Sequence, residues 1–63
     1  MKACPYVGWN AVVTRDAIDH SRIGNRGVVI SGRYGTAGWS LPVEFEGERQ
    51  IHYPFNHLEL SPS

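Results

Sequence analysis

Hydrophobic and polar residues alternate almost without interruption through residues 39–55. A period of two indicates β-structure, because successive side chains leave opposite faces of a strand. The alternation breaks once, at Gly47, and then resumes. Two such runs around a glycine turn predict a β-hairpin with one buried face. The inward side chains are predicted to be Trp39, Leu41, Val43 and Phe45 in the first run and Ile51, Tyr53 and Phe55 in the second.

The register of this hairpin follows from the same pattern, because inward residues must pair with inward residues. A two-residue turn would violate this requirement, whereas a three-residue loop over 47–49 satisfies it. That loop places Phe45 opposite Ile51 and sets Glu44 opposite His52 on the outer face.

The remaining chain predicts three more short strands and no helix. Strands are expected over 11–14 and 27–34, separated by the polar loop 16–26, and at Leu60. Residues 56–59 suit a single 3₁₀ turn. No window shows a helical apolar stripe, so the class is all-β with five strands. The predicted core comprises Val13, Val28, Ile30, Trp39, Val43, Phe45, Ile51, Tyr53 and Leu58.

The 63 residues are expected to form one domain, with residues 1–8 as an irregular arm broken by Pro5 and Gly8. The single cysteine, Cys4, excludes an internal disulfide, so a reducing, cytoplasmic setting is expected. No apolar run approaches the ~20 residues of a membrane helix. The first ten residues lack the apolar region of a signal peptide.

The net charge is zero but unevenly distributed. Residues 1–33 contain five basic and two acidic residues, whereas residues 34–63 contain one basic and four acidic. A neutral total argues against non-specific nucleic-acid binding, which depends on neutralising phosphates. The excess of arginines in the first half nevertheless leaves room for a local basic surface.

Several short segments resemble proteins built on the SH3-like barrel, over roughly residues 9–62. The stretch 22–32, RIGNRGVVISG, resembles the strand entry of KOW-type barrels in ribosomal and transcription factors. Trp39 followed by Pro54 and then by residues 56–58, Asn-His-Leu, is similar to the tryptophan and 3₁₀ turn of peptide-binding SH3 domains. The resemblance implies a five-stranded SH3-like barrel with one 3₁₀ turn before the last strand. It places Asp16 and Asp19 in the loop that is acidic in SH3 domains.

The end of the chain resembles the type II dihydrofolate reductases, which are tetramers of a similar barrel. The shared residues are Tyr-Pro at 53–54 and Leu-Glu at 58–59. Those enzymes depend on a Val-Gln-Ile-Tyr segment, whereas residues 50–53 here read Gln-Ile-His-Tyr. The glutamine and isoleucine are displaced by one residue, which places them on the opposite faces of a strand. A reductase of this kind is therefore the most distant interpretation.

No catalytic, metal-binding or cofactor-binding constellation is predicted, and the chain is not expected to be an enzyme. Four residues separate His52 from His57, and His20 and Cys4 lie in distant segments, so no close pair of zinc ligands occurs. Cys4 also lies in the arm, whereas a catalytic thiolate needs a fixed electropositive pocket.

Two function classes follow from the remaining residues. Aromatic side chains are numerous for so small a chain, and those at the arm and strand ends predict a surface that binds another protein. The chain would then be a non-catalytic accessory subunit, adaptor or inhibitor, as a monomer or small homo-oligomer. The candidate protein-binding residues are Tyr6, Trp9, Asp16, Asp19 and Tyr34. The alternative is a KOW-type nucleic-acid-binding barrel, with Arg15, Arg22, Arg26 and Arg33 as the contacting residues.

Overall fold

The computed structural model describes residues 3–62, and within this range the chain forms one antiparallel sheet without an α-helix. The all-β class is therefore confirmed. The strands are β1 (Asn10–Val13), β2 (Arg26–Val29), β3 (Arg33–Gly35), β4 (Gly38–Glu44), β5 (Ile51–Pro54) and β6 (Leu58–Ser61). Two 3₁₀ turns occupy His20–Arg22 and Phe55–His57. The second overlaps the turn predicted over 56–59. Residues 1 and 2 of the predicted arm lie outside the described residues.

The long strand β4 organises the sheet. Both β2 and β3 pair with one edge of β4, and β5 pairs with the other. The sheet continues from β2 through β1 to β6. It has six strands, and among the described residues it is not closed into the predicted barrel. The sixth strand arises because the predicted strand 27–34 is interrupted at residues 30–32. There the chain packs against the arm, since a Cβ on Gly32 would overlap the side chain of Cys4.

The β4–β5 hairpin forms, but its predicted register is wrong by two residues. Ile51 lies opposite Val43 rather than Phe45. His52 lies opposite Pro42, and Glu44 pairs across the other edge of β4 instead. The connection is longer than predicted because Phe45 leaves the ladder. A shift of two residues keeps every strand side chain on its own face. The predicted inward residues of the two strands, Trp39, Leu41, Val43, Ile51 and Tyr53, therefore still face the core.

Eight apolar residues form the buried core, namely Ala11, Val13, Val29, Leu41, Val43, Phe45, Tyr53 and Leu58. Trp39 and Ile51 are partly buried and pack against it. The prediction that Val28, Ile30 and Phe55 are core residues is wrong, since all three are more than a third exposed. Val28 lies opposite Glu44 on the outer face of the sheet, and its neighbour Val29 points inward.

Candidate functional site

A single carboxylate fixes the loop that connects β1 to β2. Asp16 is only 9% exposed. Its Oδ1 accepts hydrogen bonds from the backbone N–H groups of Ile18, at 3.0 Å, and Asp19, at 2.8 Å. Its Oδ2 accepts a buried hydrogen bond of 2.6 Å from the hydroxyl of Tyr53 in β5. The loop is therefore attached to the sheet through one side chain.

The pKa values of the two groups in this buried pair, Asp16 and Tyr53, are shifted in opposite directions. The hydrogen bond from the Tyr53 hydroxyl, followed by that from the Asp19 N–H, lowers the pKa of Asp16. Burial, followed by the hydrogen bond to Asp16, raises the pKa of Tyr53 to about 12. At neutral pH the carboxylate is thus ionised and the phenol keeps its proton, which is the state in which the two groups bond most strongly.

A second contact attaches the loop to the connection between β4 and β5. The guanidinium of Arg22 lies 2.7 Å from the carboxylate of Glu48 and 3.5 Å from that of Asp19. Asp19 also accepts hydrogen bonds from the N–H and hydroxyl of Ser21, which lower its pKa and begin the first 3₁₀ turn. The three charged side chains hold the far end of the loop in place.

A groove of about 270 Å³ lies between this loop and β5; we call it the loop–β5 groove. Ala17 and Ile18 form its loop side, and Ile51, Tyr53 and Pro54 form its β5 side. Ile18 is 99% exposed. The other lining residues are Asp16, Asp19, Arg22, His52 and His57. The groove combines an apolar wall with a charged rim.

The five predicted protein-binding residues separate into two groups. Asp16 and Asp19 line the loop–β5 groove. Tyr6, Trp9 and Tyr34 instead belong to an aromatic cluster that contains Trp39. Its rings meet edge to face, with centroid separations of 5.1 Å for Tyr6–Trp9, 6.3 Å for Tyr6–Trp39 and 5.2 Å for Tyr34–Trp39.

The cluster gives the aromatic residues a structural role, because edge-to-face pairs hold the arm against β4. Seven residues of the groove lining are not among the site residues that the sequence predicts, namely Ala17, Ile18, Ile51, His52, Tyr53, Pro54 and His57. A signal was present for Ile18, since it stands next to Asp19 in a polar loop where no core position was expected.

The four arginines of the nucleic-acid alternative occupy separate parts of the fold. Arg15 lies in the loop and Arg22 in the first 3₁₀ turn. Arg26 lies in β2 and Arg33 in β3. Arg22 is engaged with carboxylates, which reduces its availability to phosphate.

Within residues 3–62, no group of three or more His, Cys, Asp or Glu side chains is arranged to hold a metal ion. None of the described secondary structure includes a helix of the length and apolarity needed to cross a membrane. No protein-family model matches the chain, and no significant match to a curated protein or a solved structure was found.

Proposed function

We propose that this chain is a small non-catalytic protein-interaction module that takes a peptide segment of a larger protein into the loop–β5 groove. The observation that carries the proposal is the position of Ile18, which is 99% exposed beside the apolar wall formed by Ile51, Tyr53 and Pro54. An apolar ligand side chain placed there would bury Ile18 and the wall together. Burial of this kind supplies the central contacts of protein interfaces.

The rigidity of the loop supports this proposal. The backbone N–H of Ile18 is bonded to Asp16, which is itself bonded to Tyr53. The backbone of Ile18 is therefore held in place before any ligand arrives. A surface that is ordered in advance loses less conformational entropy on binding, and so retains more of the contact energy as affinity.

The charge beside the groove favours a cationic ligand. Two carboxylates, those of Asp16 and Asp19, line the groove together with one guanidinium, that of Arg22. This guanidinium is itself paired with Asp19 and with Glu48, which lies outside the groove lining. The excess of negative charge complements a lysine or arginine side chain. We therefore assign the occupant as a peptide segment in which an apolar residue lies next to a basic one.

The strand order supports an SH3-like arrangement for this module. A long loop follows β1, and a 3₁₀ turn separates β5 from β6. Since β2 and β3 share one edge of β4, the six strands occupy five positions across the sheet. Loops on such a rigid sheet are where recognition residues commonly lie.

Selection from a random peptide library displayed on phage tests the proposal. The wild-type protein should enrich peptides that carry an apolar residue beside lysine or arginine. Synthetic copies should bind Ile18→Ser and Asp19→Asn at least tenfold more weakly. Val28→Ser is the matched control, because Val28 is an exposed apolar residue on the outer face of β2.

The Asp19→Asn variant keeps an oxygen that can accept the Ser21 hydrogen bonds, so it changes charge more than loop structure. Equal affinity of the selected peptides for wild type and Ile18→Ser would contradict the proposal. Enrichment of peptides that carry no basic residue would contradict the assigned ligand class.

A further inference from the structure

A second surface pocket lies on the outer face of β3, β4 and β5, and we call it the outer cleft. It has a volume of about 390 Å³. Its polar lining side chains are those of Ser31, Arg33, Ser40, Gln50 and His52, and Gly32 and Pro42 complete the lining. The cleft contrasts with the loop–β5 groove because no lining residue is acidic.

Strand register brings the side chains of Arg33 and His52 to opposite sides of this cleft. Arg33 in β3 lies opposite Ser40 in β4, and His52 in β5 lies opposite Pro42 in β4. Ser40 and Pro42 are two residues apart and so share a face. The backbones of β3 and β5 are separated by two strand spacings, about 10 Å. Because both side chains line the cleft, a small anion bound in it would lie between a guanidinium and an imidazole.

The polar side chains that line the cleft can all donate hydrogen bonds, and none of them is a carboxylate. Guanidinium, imidazole, carboxamide and hydroxyl groups can all donate hydrogen bonds to an oxyanion. Within residues 3–62, no carboxylate lies within 4 Å of the Arg33 guanidinium, whereas Arg22 is paired with two. Arginine is well suited to phosphate because its planar group donates two parallel hydrogen bonds.

We propose that the outer cleft binds a phosphate-class oxyanion, with Arg33 and His52 on its two sides and Ser40 and Gln50 as further donors. The cleft shares His52 with the lining of the loop–β5 groove, but the oxyanion proposal does not depend on peptide binding in that groove. The phosphate has two possible sources, a small phosphorylated molecule or the backbone of a nucleic acid, and both present the same oxygens.

Titration of the ¹⁵N-labelled protein with inorganic phosphate at constant ionic strength tests the site. We expect saturable amide shifts at residues 33, 40, 50 and 52. Affinity should fall at least tenfold in Arg33→Gln and to a smaller extent in His52→Gln. Arg26→Gln is the matched control, because Arg26 is also an exposed strand arginine but lies in β2. Its affinity should equal that of wild type.

Shifts that do not saturate, or an equal loss of affinity in Arg26→Gln, would overturn the proposal, since both indicate attraction to charge without a site. A parallel titration with a short single-stranded oligonucleotide distinguishes the two sources. Tighter binding than phosphate, with a steep salt dependence and loss in Arg33→Gln, identifies a nucleic-acid backbone. Weaker binding than phosphate identifies a small phosphorylated ligand.

Discussion

The loop–β5 groove and the outer cleft both use β5 and share His52, but they differ in their other lining residues. Alternate residues of β5 leave opposite faces, so Tyr53 points toward the core and His52 points outward. The groove has an acidic rim and is anchored by the buried bond between Tyr53 and Asp16. The outer cleft has a polar lining without carboxylates, and Ser31, Arg33, Gln50 and His52 in that lining are exposed. The comparison indicates that the groove keeps its shape only while the buried bond holds the loop on the sheet. The cleft depends mainly on which side chains its surface carries.

The substitution with the largest expected effect removes a core side chain that supports both surfaces. Leu41 is fully buried and lies opposite Tyr53 in the hairpin. Leu41→Ala should destabilise the fold by about 2–5 kcal/mol, through lost burial and the cavity left behind. That loss approaches the whole stability of a domain this small. Chemical denaturation monitored by circular dichroism measures it, and an unchanged midpoint would show that Leu41 does not support the two surfaces.

The next largest effect is expected from a substitution that loosens the groove and leaves the cleft unchanged. Tyr53→Phe removes the hydroxyl that binds Asp16 and leaves one carboxylate oxygen without its donor, while the ring can still fill its space. The melting temperature should fall by several degrees. Amide hydrogen exchange should accelerate at Ile18 and Asp19 and remain unchanged at Arg33. Uniform acceleration across all three would show that the loop and the sheet open together.

The pH dependence should follow the same division. The pKa of Asp16 is lowered in the folded state, so the group stabilises the fold above its unfolded pKa of about 3.9 and loses this effect as the pH falls through its folded value. Asp16→Asn should therefore melt below wild type at neutral pH, and the difference should shrink in acid. Thermal melts between about pH 7 and pH 3 measure the difference. A difference that grows in acid would contradict the assignment.

At alkaline pH, stability should depend on Tyr53, the hydrogen-bond partner of Asp16. The pKa of Tyr53 is raised to about 12, so its contribution to stability is complete below the ordinary tyrosine value and is lost as the pH rises through about 12. Ultraviolet absorbance of the phenolate should show one tyrosine that titrates late. In Asp16→Asn this titration should move to lower pH, because the negative charge of the neighbour is removed and any remaining hydrogen bond to the hydroxyl is no longer charge-assisted. An unmoved titration would indicate that burial alone sets the value.

The smallest stability effect is expected in the cleft. Arg33 and His52 are both exposed. Substitution of either by glutamine should leave the melting temperature unchanged within error, since surface changes away from buried contacts have little effect on stability. A substantial decrease would show that the cleft residues support the fold, and would remove the contrast with the groove.

The sequence pattern was sufficient for the hairpin faces but not for its register. Leu41, Val43 and Tyr53 alternate with other residues, which correctly assigned them to the inner face. The length of the connection was undetermined, because registers that differ by two residues give the same faces. Val28, Val29 and Ile30 are apolar in succession, so alternation gives no indication of which one is buried.

The candidate site was only partly accessible from the sequence. The sequence predicts Asp16 and Asp19 as site residues because they lie in a polar loop that is acidic in the SH3 domains the chain resembles, and both line the groove. The anchoring role of Asp16 depends on Tyr53, which is 37 residues away in the chain, and no local pattern reports that contact. Ile18 was missed because a lone apolar residue in a polar loop gives no periodicity to interpret.

The aromatic cluster provides a fluorescence signal for the contact between the arm and the sheet. Both tryptophans belong to the cluster, Trp9 from the segment before β1 and Trp39 from β4, with Tyr6 in ring contact with each. Intrinsic fluorescence therefore reports whether the arm is docked, whereas far-ultraviolet dichroism reports the sheet. The two denaturation curves should coincide only if arm and sheet unfold in one cooperative step. A fluorescence change that precedes the dichroism change would give the free energy of arm release without any introduced label.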